Sequence, residues 1–216
     1  CTGLWAEKDI DMKLIDITVP YHEGMAAFPG TEPPKFTQLK TLEKDGKSLW
    51  SMSMTTVTGT HIEAPCHTVK DTACIDQIDL HKCYGPCEVR EVKAKDGLIQ
   101  FTDVQDVRAE RVLFKTTNSE MIRQDAFFDD YVALSAEAAE TLVANGVKLV
   151  GIDYYGIERR GSLDHPVHTA LLKAGVVILV GVDLSFVQPG NYTLIAMPQR
   201  LKGLDGSPVR AVLAQE

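Results

Sequence analysis

The residues best suited to chemistry lie in one short stretch, Thr58-Gly59-Thr60-His61-Ile62-Glu63-Ala64-Pro65-Cys66-His67. Two of the chain's six histidines and one carboxylate fall within seven positions there. Pro65 disfavours helical backbone at Ala64 and pushes it toward an extended conformation. In extended chain, side chains two apart point the same way. His61, Glu63 and His67 share that parity, whereas on a helix His61 and Glu63 would not face each other. Gly59 lets the chain turn sharply, or another backbone come close, just before the first histidine. Two imidazoles and a carboxylate on one stiff segment suit a divalent cation; zinc accepts both donor types, and so does manganese. A simpler reading of the same residues is a hydrogen-bonded polar pair with no ion.

A cation site built there needs a ligand or base from elsewhere. His165 and His168 stand three apart at the expected start of a helix and share a face. Pro166 sets the entry angle and Asp164 is placed to cap. The plainer alternative is that one of the two histidines caps the helix and the other is a satisfied core or surface residue. His22 and His81 are isolated and read as structural. Asp153, at the end of an apolar strand, is placed to hold a histidine from behind. The chain has no G-x-S-x-G elbow, no phosphate-cradling glycine loop and no G-x-G-x-x-G.

The elements that must position these groups follow from periodicity and punctuation. Strands are expected at 13–18, 36–42, 50–57, 87–92, 111–115, 147–153, 176–180, 192–197 and 209–213, the third running straight into the histidine stretch. Residues 76–83 read as a helical turn or two, and 101–107 as a short helix. The clearest helix is 135–145, with Ser135 as N-cap and Gly146 past its end. A second covers 166–174, with Pro166 in its first turn and Gly175 after it. Strand, helix and strand over 147–180 form a βαβ unit, while the first half is nearly all β. The class is therefore α/β, with a mixed sheet and few helices.

Length and composition set the outer bounds. With 216 residues, 44% of them hydrophobic and 24% charged, the chain is an ordinary globular one, long enough for a sizeable core. A net charge of −8 argues against a nucleic-acid partner, which needs a basic patch. No apolar run is as long as a membrane span, so the expected partner is a small molecule. The five cysteines are Cys1, Cys66, Cys74, Cys83 and Cys87. An odd count without C-x-x-C argues against a disulfide framework and against a structural zinc knuckle. Cys66 then reads as a small buried apolar side chain, and Cys83 and Cys87 as packing residues. Unpaired cysteines favour the cytoplasm. Residues 1–11 read as a disordered or tag-like segment, and 12–216, which has no linker, repeat or charge block, as a single domain.

These motifs together resemble the cyclase family of metal-dependent hydrolases, which includes bacterial kynurenine formamidase. The resemblance runs through Ile15-Asp16-Ile17-Thr18, Phe28-Pro29-Gly30, the stretch from Gly59 to His67, and Val112-Leu113-Phe114-Lys115-Thr116-Thr117-Asn118-Ser119. It continues in Lys148-Leu149-Val150-Gly151-Ile152-Asp153-Tyr154, Pro166-Val167-His168 and Leu194-Ile195-Ala196-Met197-Pro198. It implies a swivelling β/β/α domain, a homodimer or higher homo-oligomer, and a divalent metal that activates water. The family's ligands carry over as His61, Glu63, His67 and His168, with His67 or His168 moving the proton. Phe28, Trp50 and Tyr154 are expected around an aryl substrate.

The chain departs from the family's H-x-G-T-H-x-D-x-P-x-H at two places. Val57 stands where the first histidine belongs and Glu63 where the aspartate does. Val180 replaces a third family residue, the glutamate before Gly181. A glutamate carries its carboxylate outward by about one C–C bond, whereas ligand distances tolerate only about 0.2 Å. One metal rather than two is then expected, or an abandoned metal site. Three functions fit: a metal-dependent hydrolase of a small amide or formamide; a lactone or cyclic-imide hydrolase, or other carbonyl chemistry, on the same scaffold; and an inactive homologue that binds a small molecule.

Overall fold

The computed structural model describes residues 12–215. The strands are β1 (Lys13–Asp16), β2 (Lys35–Lys40), β3 (Leu49–Ser53), β4 (His61–Glu63), β5 (Tyr84–Glu91), β6 (Leu98–Ile99) and β7 (Arg111–Lys115). They continue with β8 (Ala133–Leu134), β9 (Leu149–Ile152), β10 (Val177–Val180), β11 (Gly190–Ile195), β12 (Gly206–Pro208) and β13 (Val212–Gln215). The helices are α1 (Leu42–Asp45), α2 (Phe101–Val104), α3 (Asn118–Met121), α4 (Ala136–Ala144) and α5 (Pro166–Lys173). Nine strands form one mixed sheet in the order β1-β13-β11-β5-β7-β9-β10-β4-β12. Its centre, β5-β7-β9-β10, is parallel, and both flanks are antiparallel. The expected α/β class holds. None of the helices is long and apolar enough to cross a membrane. The reading of residues 1–11 lies outside the described residues.

The central strands are apolar on both faces because both are covered. Val112 and Phe114 of β7, Ile178 and Val180 of β10, and Val150 and Ile152 of β9 pack beneath α4 and α5. Their alternates Leu113, Leu149, Val177 and Leu179 join Ile62, Leu194 and Leu213 in a second core on the opposite face. Side chains such as Phe114 and Leu142 are fully buried; truncating one to alanine costs roughly 2–5 kcal/mol. α4 begins where Ser135 Oγ accepts from Ala138 N–H at 3.2 Å and turns Ala138, Ala139 and Leu142 to the core. α5 starts with Pro166 and ends before Gly175, which takes φ +73.

Two expectations change here. The span 50–57 is not one strand: β3 ends at Ser53, pairs only with β2 in a separate ribbon, and is exposed along its whole length. The chain turns at Gly59 (φ +60), close beneath the Tyr21 ring, before β4 begins. The cysteines are also partly paired. Cys66 and Cys74 form a disulfide with Cα atoms 5.2 Å apart, inside the range such a bond allows. The odd count misled because it pools this pair with buried, free Cys83 and Cys87, and with Cys1 outside the described residues. Cys66 is half-buried rather than a core residue. The argument for the cytoplasm from unpaired cysteines falls with it.

One glycine governs how β4 meets β10. Gly181 follows β10 at φ +74, its N–H donates to Tyr154 O at 2.7 Å, and a Cβ there would collide with the Gly59 carbonyl. Gly146 has a similar φ of +80 with open space around it. Gly181→Ala is expected to cost about 3 kcal/mol or more, and Gly146→Ala only about 1 kcal/mol. Urea unfolding of the two variants checks this; equal costs would mean that conformation, not clearance, sets the requirement at Gly181.

Candidate active site

β4 carries the first two groups. His61 pairs in register with Val180 of β10 on one side and Pro208 of β12 on the other; Glu63 pairs with Ile178 and Gly206. Cross-strand partners share a face, so His61 and Glu63 look toward the helix side while Ile62 enters the opposite core. The expected parity thus holds for this pair. His67 arrives differently: the strand stops at Glu63, and Pro65 opens a 3-10 turn, Pro65–His67. That turn brings His67 to the cavity that His61 and Glu63 line. His168 comes from the first turn of α5, its ring centre 6.1 Å from that of His67.

All three histidines are held in the same sense. His61 Nδ1 lies 2.9 Å from Gly59 O, His67 Nδ1 2.8 Å from Asp205 Oδ2, and His168 Nδ1 2.5 Å from Glu158 Oε2. The Gly59 carbonyl can only accept, and ionised carboxylates do too. Each Nδ1 is therefore the donor, which leaves the Nε2 lone pairs unclaimed. His61 Nε2 and His168 Nε2 face the two oxygens of Glu63, each at 3.4 Å. Glu63 is almost wholly buried, and neither His61 Nε2 nor Glu63 Oε2 has a hydrogen-bond partner among the described residues. Lone pairs facing carboxylate oxygens in a buried site call for a positive charge between them. Histidines anchored through Nδ1 with Nε2 free form the outer support that metal ligands use. The donors present therefore fit a divalent cation.

A proton can serve the same need. Burial disfavours the imidazolium of His168, but the charge of Glu63, the hydrogen bond to Glu158 and the Glu158 charge outweigh it and hold His168 up to about 10. Burial likewise opposes ionisation of Glu63, yet the charge of His168 beside it holds its carboxyl well below the usual range.

Glu158 and Asp205 carry no signal in the sequence. Glu158 accepts Val167 N–H with Oε1 at 2.8 Å and His168 with Oε2, so it locks α5 and the histidine together. Ligand atoms of Glu158, His165 and His168 lie within 4.8 Å of one another, but both Glu158 oxygens are already engaged and His165 is largely exposed. Asp164 and His165 both take left-handed backbone, at φ +61 and +45; Asp164 does not cap α5, whose N-cap is His165. Asp205 accepts Thr56 Oγ1–H at 2.8 Å with its other oxygen.

These groups open onto a cavity of about 510 Å³, whose wall includes Phe28, Val57, Tyr155, Arg159 and Arg160. Phe28 is where the sequence put it. Trp50 is not in that wall: it is 55% exposed on the β2–β3 ribbon, because β3 does not continue into β4. Tyr154 is fully buried, stacked on Tyr131 at 4.6 Å, with its hydroxyl donating to Phe128 O. Tyr155 takes its place. Asp153 holds no histidine; its carboxylate accepts from Thr116 N–H and from the Thr116 and Ser119 hydroxyls at 2.7, 2.9 and 2.5 Å. A larger groove, about 840 Å³, runs between Tyr21, Met52 and Met197 without a histidine.

The class this defines is an α/β protein with a histidine–carboxylate pocket suited to a divalent cation. The chain belongs to the Cyclase family, whose pattern matches residues 15–159. It is 36% identical to a kynurenine formamidase of Salinibacter ruber over 94% of this chain and 97% of that one. A kynurenine formamidase of Bacillus cytotoxicus is 33% identical, over 92% and 96%. Among solved structures, one described as a predicted metal-dependent hydrolase from Bacillus stearothermophilus superposes with a TM-score of 0.83 at 34% identity, covering 95% of this chain and 99% of that one. Isatin hydrolase A from Ralstonia solanacearum shares the fold, with a TM-score of 0.84 at 21% identity over 95% and 93%.

The His168 charge has a consequence for the metal-free protein. Its pKa is raised above the unfolded value, so its stabilisation is complete below about pH 6.5 and is lost as pH climbs toward about 10. Thermal unfolding in chelator is expected to show a melting temperature that falls across this window, and a flatter profile for His168→Gln. A wild-type profile already flat there would mean that His168 is neutral in the folded chain.

Proposed function

We propose that the protein is a metal-dependent hydrolase of a small amide or formamide, with residues 12–216 acting as one domain. The observation that carries this is the convergence of the His61 and His168 Nε2 atoms on the two oxygens of the buried Glu63, beside a third anchored histidine. Identity above 30% to kynurenine formamidases over nearly the full chain supports the C–N bond as the one cleaved. His61, Glu63 and His168 would hold a single zinc or manganese ion, and His67, which lines the same cavity, would keep its Nε2 free of it. Such an ion supplies Lewis acidity and makes its bound water acidic near neutral pH.

The chain's own groups do the rest. Gly59 O, Glu158 and Asp205 fix the three rings so that only Nε2 faces the substrate. His67 is the least buried of the three, at 25% side-chain exposure, and is the group placed to move the proton. Asp205 behind it keeps the proton on Nδ1, so Nε2 accepts from the attacking water and then donates to the leaving nitrogen. Phe28 and Tyr155 offer flat apolar walls for an aryl substituent, and Val57 fills the position of a missing donor. The family resemblance favours a homo-oligomer, and the exposed Trp50 and Met52 on β3 offer an apolar surface to such an assembly.

His61→Ala is expected to lower bound metal from about one per chain to near none, and aryl-formamide hydrolysis by roughly 10²-fold or more. Elemental analysis and initial rates on formamide, lactone and imide substrates check this. Full metal and activity in His61→Ala would move the site elsewhere; a metal-free protein that binds an aryl ligand without hydrolysing it would favour a binding role. Combining Val57→His with Val180→Glu is expected to raise the metal count from about one toward about two per chain. No increase would mean that the pocket has been rebuilt around the valines.

A further inference from the structure

Cys66 and Cys74 take no part in the proposed hydrolysis, yet they sit against it. Cys66 is the middle residue of the turn Pro65–His67, and Cys74 immediately precedes the next turn, Ile75–Gln77. Their bridge closes a ring of sequence separation 8 that contains His67 and Thr68, both in the cavity wall. Among the described residues one ring-closing hydrogen bond accompanies it, Cys66 N–H to Ala73 O at 3.1 Å; Thr72 Oγ1 bonds within the ring to Val69 O. The base of the ring is fastened to the segment before β12: Ala64 N–H to Asp205 O at 2.8 Å, Ile75 N–H to Leu204 O at 2.9 Å, and Gly203 N–H to Asp76 Oδ1 at 2.9 Å. That same segment presents the Asp205 carboxylate to His67. Both sulfur-bearing residues are half-buried rather than sealed. Cys83 and Cys87, by contrast, are buried and their thiols are pushed up to about 12, which makes them poor nucleophiles.

We propose that Cys66–Cys74 is a thiol–disulfide exchange site whose bridged form holds His67 against Asp205, and whose reduction slows hydrolysis. The reductant is a small dithiol. One of its thiolates attacks a ring sulfur, the S–S bond breaks, the partner cysteine leaves as a thiolate, and the attacked cysteine forms a mixed disulfide with the reductant. The second thiolate then displaces that attacked cysteine and closes the reductant into its own disulfide. Two electrons pass to the protein, and two protons end on Cys66 and Cys74. The reduced state has a place to go: Cys66 Sγ lies 3.6 Å from Leu204 O, so the new S–H meets an acceptor. Without the bridge the two ends of the ring are joined by the Cys66–Ala73 bond, and the turn that carries His67 keeps only its own bonds, His67 N–H to Ala64 O at 2.9 Å and Val69 N–H to Pro65 O at 3.0 Å, so it is less restrained. The effect on rate rests on the reading of His67 as the proton-moving group.

The test compares the full chain after glutathione disulfide, after dithiothreitol removed by gel filtration, and as Cys74→Ser. Alkylation under denaturing conditions with peptide mapping reads the bridge; amide exchange over residues 64–76 reads the ring; kcat on an aryl formamide reads His67. The bridged peptide is expected only in the oxidised wild type. Reduction is expected to speed ring exchange about tenfold and to lower kcat about three- to tenfold, reversibly. Cys74→Ser is expected to hold the reduced values whatever the reductant, and Cys66→Ala to match it if the serine variant folds poorly. Full alkylation of both cysteines after oxidation, or equal exchange and equal kcat in the two forms, overturns the proposal. If no form hydrolyses the formamide, the hydrolase reading fails, while mapping and exchange still decide whether the bridge constrains the ring.

Discussion

A buried carboxylate with an imidazole nitrogen at each oxygen is the constraint that the rest of the structure serves. Glu63 cannot be left there alone, because an ionised carboxylate out of water without a counter-charge is among the costliest features a fold can contain. His61 and His168 cannot neutralise it while their protons sit on Nδ1. The arrangement is stable only with a shared cation, either a proton on His168 or a metal ion. Outer contacts that would otherwise look incidental therefore acquire a common purpose. The Gly59 carbonyl and Glu158 commit those two rings, and Asp205 commits the third. Gly181 lets β10 come close enough to Gly59 for the first of these to be in place.

Much of the scaffold was legible because its signals are local. Ser135 and Gly146 bracket α4, Pro166 and Gly175 bracket α5, and the apolar runs 111–115 and 176–180 are core strands. The pairing of His61 with Glu63 was readable from strand periodicity alone. Glu158 and Asp205 were not, since each meets its histidine across a distance in sequence (10 and 138 residues) at which no spacing rule operates. The Trp50 and Tyr154 assignments failed for a related reason. An aromatic residue near a motif can face a cavity, a core or solvent, and only the full path of the chain decides. The cysteine count failed because parity is a property of the whole set, whereas bonding is a property of one pair.

The two valines at family donor positions are not holes. Val180 is fully buried in the helix-side core and Val57 closes part of the cavity wall. Methyl groups there raise the cost of leaving Glu63 uncompensated, because they exclude water that would otherwise solvate it. The loss of an imidazole and a carboxylate is thus matched by a drier pocket, in which the remaining charges act on each other more strongly.

The position of His61 inside β4 has a consequence for assembly of the chain. Its neighbours Val180 and Pro208 are set by the ladder on both sides, and so are those of Glu63. A slip of one residue would exchange the faces of the whole strand, turning Ile62 into the pocket and both donors into apolar packing. Partial versions of the pocket are therefore not reachable by small errors of strand pairing. The chain either closes its sheet in this register and presents both β4 donors to the pocket together, or presents neither.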